Sequence, residues 1–239
     1  MAKEISDWKK DMAMAATKVA KTERSDDSYI SLKGGVMTYQ DQPIPDNKLE
    51  CIIVATSFAR TCFNRPYDSD DNEPPECFAN AIDQADLMPH ENVPAPFSTA
   101  CGEKVCEMAV FGSALQGNGP RCKTRRKLIV MPSSGLIDPT EAEIAILAVP
   151  PTSGKHWSAY ANRVASGAGL PPWAVKTMIT VKPNAKTQFE VTFETTGPIE
   201  DDKLLSAIHA RIPEAEKILL QPYTYDEPAE EVKTANAKY

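Results

Sequence analysis

Histidine is scarce in this sequence, three in 239 residues, which leaves little imidazole for acid–base work. The motifs of several catalytic classes are missing as well. There is no HExxH, no Walker A loop, no GxSxG elbow and no GxGxxG fingerprint. The zinc-deaminase pattern is also lacking, since Glu91 follows His90 directly and no two cysteines are spaced by two. No apolar run approaches eighteen residues, so no membrane span is expected. The N-terminal segment "MAKEISDWKKDMAMAATKVAKTERSDD" contains no compact apolar block followed by a cleavage-like site, and the chain reads as mature and cytosolic. Positive charge is not in excess either. A formal net charge of −7 excludes a histone-like binder that works by global charge, although a local basic surface remains open. The expectation is a non-enzymatic protein.

Present instead is an ordinary globular composition, 42% hydrophobic and 25% charged, with the charge unevenly placed. "RCKTRRK" (121–127) has five basic residues in seven, and "DSDDNEPPE" (68–76) has five acidic residues in nine. Six cysteines are an even number. Without a secretory signal, however, cellular thiols would keep them reduced, and clustering then points to metal or catalysis rather than disulfides.

Periodicity divides the chain. Ile5, Trp8, Met12, Ala15, Ala16 and Val19 recur at helical spacing, predicting an N-terminal amphipathic helix within 1–27. "YISL", "VMTY" and "LECIIVATSFA" read as strands, with Gly34-Gly35 and "DQPIPDN" as the turns between them. From 60 to 125 regular patterning disappears and Pro, Asn, Asp and Gly accumulate. So long an irregular stretch must be functional, disordered, or held by something other than a core. Strand patterning returns at "RKLIVMP". Asp138 and Pro139 carry a helix-start signature, and "EIAILAVP" fits a strand or a helix. A helix follows with Trp157, Tyr160 and Val164 on one face, ending at Gly167 and Gly169. A hairpin turns at "PNAK", with Val175, Met178 and Ile179 on one side and Phe189, Val191 and Phe193 alternating on the other. Helices around Pro213 and a polar tail (223–239) close the chain. This order predicts a mainly β (α+β) fold. It suits an OB-like Greek-key barrel over 28–222, with 60–125 inserted as a zinc-knuckle subdomain and helices flanking the core at both ends. An open α+β sandwich fits the same order.

Four of the six cysteines, Cys77, Cys101, Cys106 and Cys122, lie within or at the edges of the irregular stretch. Structural zinc takes four soft or borderline ligands in tetrahedral geometry. Cys101 and Cys106 form a Cys-x4-Cys pair, Gly102 lets the chain curl back, and Cys122 supplies a third thiolate after the Gly117–Gly119 turn. The fourth ligand is Cys77, giving an all-thiolate site, or His90, giving Cys3His. Cys51 and Cys62, in or beside the apolar strand, are expected in the core. A structural Zn2+ would order loop residues that no core holds.

Arg121, Lys123, Arg125, Arg126 and Lys127 begin inside the knuckle and run into a strand. Arg125 and Lys127 are expected on one face and Lys123 and Arg126 more nearly on the other. Such a cationic ridge suits a phosphate backbone, and binders of single strands add aromatic platforms on which bases stack. Phe58, Phe63, Tyr67 and Phe111 are the candidate platforms. Trp157, Trp173, Phe189 and Phe193 are assigned to the core by their periodicity, and His156 and His209 to surface or satisfied helix positions.

These segments resemble a group of proteins encoded in the replication modules of tailed bacteriophages. The resemblance rests on "SYISLKGGVMTYQDQPIPDNKLECII", on "CFA…PHENVP…C…C…GNGPRCKTRRKL", on "VPPTSGKHWSAY", on "TQFEVTFETTGPI" and on "LLQPY". More remotely, an OB-like core with an inserted zinc knuckle is similar in layout to the T-even phage helix-destabilising protein, which holds zinc with one His and three Cys. Ligand order and spacing differ here. The resemblance implies single-stranded DNA binding in phage replication or recombination, in the cytoplasm of the infected bacterial host. It also suggests a phage polymerase, helicase or recombinase as protein partner and no membrane. Two rivals stand beside it. One is a zinc-stabilised protein–protein adaptor, to which the acidic run and terminal helices are suited. The other is a metal-dependent hydrolase, for which His90 is the sole candidate beyond the thiols.

Overall fold

The computed structural model describes residues 29–65 and 74–223. The N-terminal helix expected within 1–27, most of the acidic run and the tail beyond Tyr223 lie outside the described residues, as does Tyr67. The chain divides into two compact units, Met1–Val54 with Leu128–Arg211 and Ala55–Lys127 with Ile212–Tyr239.

The described residues are mainly β, with three α-helices. The strands are β1 (Tyr29–Ser31), β2 (Thr38–Tyr39), β3 (Gln42–Pro43), β4 (Lys48–Cys62), β5 (Cys77–Ala81), β6 (Cys122–Pro132), β7 (Ala145–Val149), β8 (Val175–Asn184) and β9 (Gln188–Pro198). They pair in the order β3-β2-β1-β7-β6-β4-β8-β9, and β5 branches from β4. Most of the described pairings are antiparallel, and β1 runs parallel to β7 with Tyr29 opposite Ile146. The strands β4 and β6 contribute residues to both units.

In the first unit the core follows from alternation. Cys51 and Ile53 on β4, Leu128 and Val130 on β6, and Ala145, Leu147 and Val149 on β7 all belong to one buried cluster. Helix α1 (Gly154–Ala168) adds Trp157, Tyr160 and Val164, the three positions that its helical spacing selects. The helix ends at Gly169, whose φ of +65° belongs to the left-handed region and whose N–H donates to the Ala165 carbonyl at 3.1 Å. The β8–β9 hairpin closes through Ala185–Thr187. There the Asn184 side chain accepts from the backbone N–H groups of Lys186 and Thr187.

One local expectation changes. Asp138 does not start a helix: its carboxylate accepts from the Thr140 N–H and hydroxyl, closing a local turn instead. The segment "EIAILAVP" resolves as strand β7, buried and parallel to β1. On β8, Val175, Thr177, Ile179 and Val181 alternate inward. The Thr177 hydroxyl is satisfied by that of Tyr160. Helix α2 (Asp202–Ala210) and helix α3 (Ile212–Leu219) form around Pro213 as expected, with the proline in the first turn of α3 where a missing N–H costs nothing.

Candidate functional site

In the second unit the far half of β4 pairs with β5 from Phe58 opposite Ala81 to Cys62 opposite Cys77. Thereafter the chain runs through short 3-10 turns and bends to β6. Its apolar support is small. One cluster joins Cys62, Cys77, Phe78, Val93 and Cys122, and another joins Ala79, Ala81 and Leu87. Polar ties hold the rest of the loop. The Cys106 N–H donates to the Gly102 carbonyl at 2.9 Å, with Gly102 at φ +149°, so Cys101 and Cys106 form a closed loop as their spacing predicts. The Cys101 N–H donates to Leu87.

Five thiols converge on one cavity of about 10 Å³, roughly the space of a single water. Its lining includes Cys62, Cys77, Cys101, Cys106 and Cys122, together with Arg60. Cys62 is therefore not merely a core residue. As the register partner of Cys77 it is 1% exposed and faces the same cavity. His90 lies outside the lining. Its ring stacks on Phe78 at 4.9 Å, and its Nδ1 accepts from the Asn92 N–H. Cys51 is buried in the first unit, as expected. All six cysteines are free thiols.

Burial dominates the chemistry of these thiols. It pushes Cys62 and Cys101 up to about 11 and Cys122 up to about 12, and it raises Cys77 too. Positive charge opposes the rise: Arg121 acts on Cys62, and Arg60 acts on Cys101 and Cys122. A group buried in this way is a poor nucleophile, and a metal ion that took it as a ligand would have to displace its proton. Among the described residues no group of three or more His, Cys, Asp or Glu side chains is drawn close enough in this arrangement to hold a metal ion. The donor set nonetheless suits zinc, whose structural sites are rich in thiolate. The Nε of Arg60, a residue only 9% exposed, lacks a hydrogen-bond partner beside these thiols and fits an anionic centre.

The basic residues divide by environment. Lys123 and Arg125, two apart on β6, are exposed. Arg121 is tied down. Its guanidinium meets the Glu76 carboxylate at 2.7 Å and donates to the Phe63 carbonyl at 2.8 Å, while its own N–H reaches Ser113. Arg126 lies over the Phe58 ring at 3.5 Å, and burial lowers its pKa. Lys127 is 9% exposed, with Nζ 5.9 Å from the Tyr223 ring centroid, and burial lowers its pKa as well. The expected facing therefore changes: Lys123 and Arg125 form the open pair, while Lys127 is covered.

Among the aromatic candidates, Phe111 is 72% exposed and Phe63 is 38% exposed, with the Arg65 guanidinium 5.9 Å from the Phe63 ring. Phe58 is half-buried against Ala79, Ala81 and Leu87 and is covered by Arg126. Arg60, Cys62 and Tyr223 are the residues that sequence reasoning missed. The facing of Cys62 depends on the β4–β5 register, which no local pattern announces.

Compared with known proteins, the chain matches no family model, no curated protein and no solved structure.

Proposed function

We propose that this protein is a non-enzymatic, sequence-independent binder of single-stranded DNA that acts in phage DNA replication or recombination. The observation that carries the reading is the exposed Lys123–Arg125 pair on β6, adjoining a segment whose aromatic rings Phe63 and Phe111 reach solvent. Arg121 ties the start of that strand to the Phe63 backbone at 2.8 Å, so the cations and one ring share a rigid support. Phosphate contacts supply affinity, and ring faces accept any base. The core is taken as OB-like, a partly open Greek-key scaffold, on the strength of its mainly antiparallel strands and the parallel β1–β7 pair. A structural zinc ion on the cysteine cavity would order the loop that joins β5 to β6.

The test is a titration with fluorescent oligo-dT across a salt series. Affinity should fall steeply with salt. Lys123→Glu with Arg125→Glu should weaken binding at least about tenfold for every sequence and flatten the salt slope by about 1.4, from about 0.7 per phosphate contact on a single strand. Binding that is absent at low salt, or unchanged in the double variant, sinks the reading.

A second reading, a zinc-stabilised adaptor for a replication or transcription complex, draws on one observation. Val105, Val110, Phe111 and Leu115 are all exposed along the loop. A polymerase or helicase partner retained after nuclease treatment, with no oligo-dT binding, favours the adaptor.

A further inference from the structure

The cysteine cavity carries more than a count of thiols. Three adjacent strands, in the order β5-β4-β6, bring Cys77, Cys62 and Cys122 into one buried cluster, and the Cys101–Cys106 loop adds two further thiols to the cavity they share. Against this stands a buried cation. Arg60 is 9% exposed, lines the cavity, leaves its Nε without a hydrogen-bond partner, and among the described residues makes no salt bridge. A guanidinium without a countercharge inside a protein is costly. Arg121, the other cation acting on these thiols, already has Glu76 at 2.7 Å, so of these two only Arg60 has no carboxylate partner among the described residues.

We propose that the cavity is an all-thiolate metal centre. A divalent soft ion, zinc in the cell, is held by four of the thiols Cys62, Cys77, Cys101, Cys106 and Cys122, without His90, and Arg60 is the buried positioning cation that offsets half of the site's net negative charge. The inference rests on the structural-zinc part of the preceding reading and names its ligand chemistry. Four thiolates on a dication leave two negative charges, which is the missing partner of Arg60. The imidazole of His90 is held elsewhere by its stack on Phe78 and its bond from Asn92. Loading requires the thiols to turn inward and shed their protons.

Metal content and the cobalt-substituted spectrum of the full chain test this in the absence of DNA, so failed DNA binding leaves the result intact and the reverse also holds. The expected result is about one ion per chain and a charge-transfer intensity of four thiolates. His90→Ala should leave both unchanged. Of the five single Cys→Ser variants at the cavity positions, four should reduce stoichiometry or weaken retention and one should not, and Cys51→Ser should change neither. Arg60→Met should lower metal affinity about 10–100-fold, the usual effect of losing an outer-shell partner, and Arg60→Lys should restore part of it. A three-thiolate spectrum with imidazole, metal loss in His90→Ala, or no metal bound by the wild-type chain overturns the proposal. The wild-type cobalt spectrum decides the ligand type even where a variant fails to fold.

Discussion

At the scale of single residues, environment separates side chains that look equivalent in the sequence. The run 121–127 reads as one ridge, yet only Lys123 and Arg125 are exposed. Lys127 shows the cost of reading charge without burial. It is 9% exposed beside Tyr223, and burial, with help from the Arg125 charge, lowers its pKa below that of a free lysine. A lowered lysine pKa means that the unfolded chain binds the proton more tightly, so the charged form opposes folding below the folded-state pKa and the opposition fades as pH rises through it. Lys127→Met should therefore leave the protein at least as stable as wild type in urea at pH 7, and should leave oligo-dT affinity within about twofold. Clear destabilisation, or a loss of binding like that of the Lys123–Arg125 pair, would show that the ammonium has a partner in solution. Cys62 carries the converse lesson. Its apolar neighbours in "FARTC" suggest packing, and only the pairing with Cys77 turns it toward the other thiols.

At the scale of elements, local chemistry fixes what periodicity leaves open, and two glycines in and after helix α1 illustrate it. Gly167 lies inside the helix with nothing within 4 Å of an added Cβ. Gly169 also has open space, but at φ +65° it adopts the conformation that L side chains rarely do. The same substitution should act in opposite directions. Gly167→Ala should raise stability by up to about 1 kcal/mol by restricting the unfolded chain, and Gly169→Ala should lower it by about 1–2 kcal/mol. Thermal unfolding of the two variants checks the signs, and a like sign in both would contradict the cap. Helix α1 and the hairpin were legible because Trp157, Tyr160, Val164, Val191 and Phe193 repeat at the periods of their elements. Other features were not. Asp138-Pro139 carries the residues of a helix start, but the aspartate is consumed by Thr140 two residues on. Strand β7 has no alternation to announce it because both of its faces are largely covered, and β5 is five residues whose pairing with β4 is a long-range event. The candidate site divides the same way. The Cys101–Cys106 loop is local and readable, whereas the convergence of Arg60 and Cys62 with it depends on strand register.

At the scale of the whole molecule, the two units differ in what can hold them together. The first has a buried cluster of seventeen residues, including Trp157, Tyr160 and Phe193 in mutual contact. Among the described residues the second has clusters of five and three, three members of the larger one being cysteines, and Ala59, Ala215 and Leu219 are buried in it as well. The loop joining β5 to β6 has little regular structure and few buried apolar residues, so polar ties such as Arg121 to Glu76, or the proposed ion, carry more of its order. No helix among the described residues is long and apolar enough to cross a membrane. With a formal net charge of −7, the proposed attraction for nucleic acid relies on local cations such as Lys123 and Arg125, so the order of the segment beside them bears on the proposed binding. Removing the proposed ion with a strong chelator under reducing conditions should therefore act locally. Amide exchange in peptides spanning residues 82–121 should accelerate at least about tenfold, while peptides from α1 and the β8–β9 hairpin keep their protection. Oligo-dT affinity should fall in step with the lost protection. An unchanged exchange pattern would mean that the loop is held by its hydrogen bonds and two small clusters alone. Acceleration throughout both units would mean that the ion supports the fold as a whole, against the separate cores seen here.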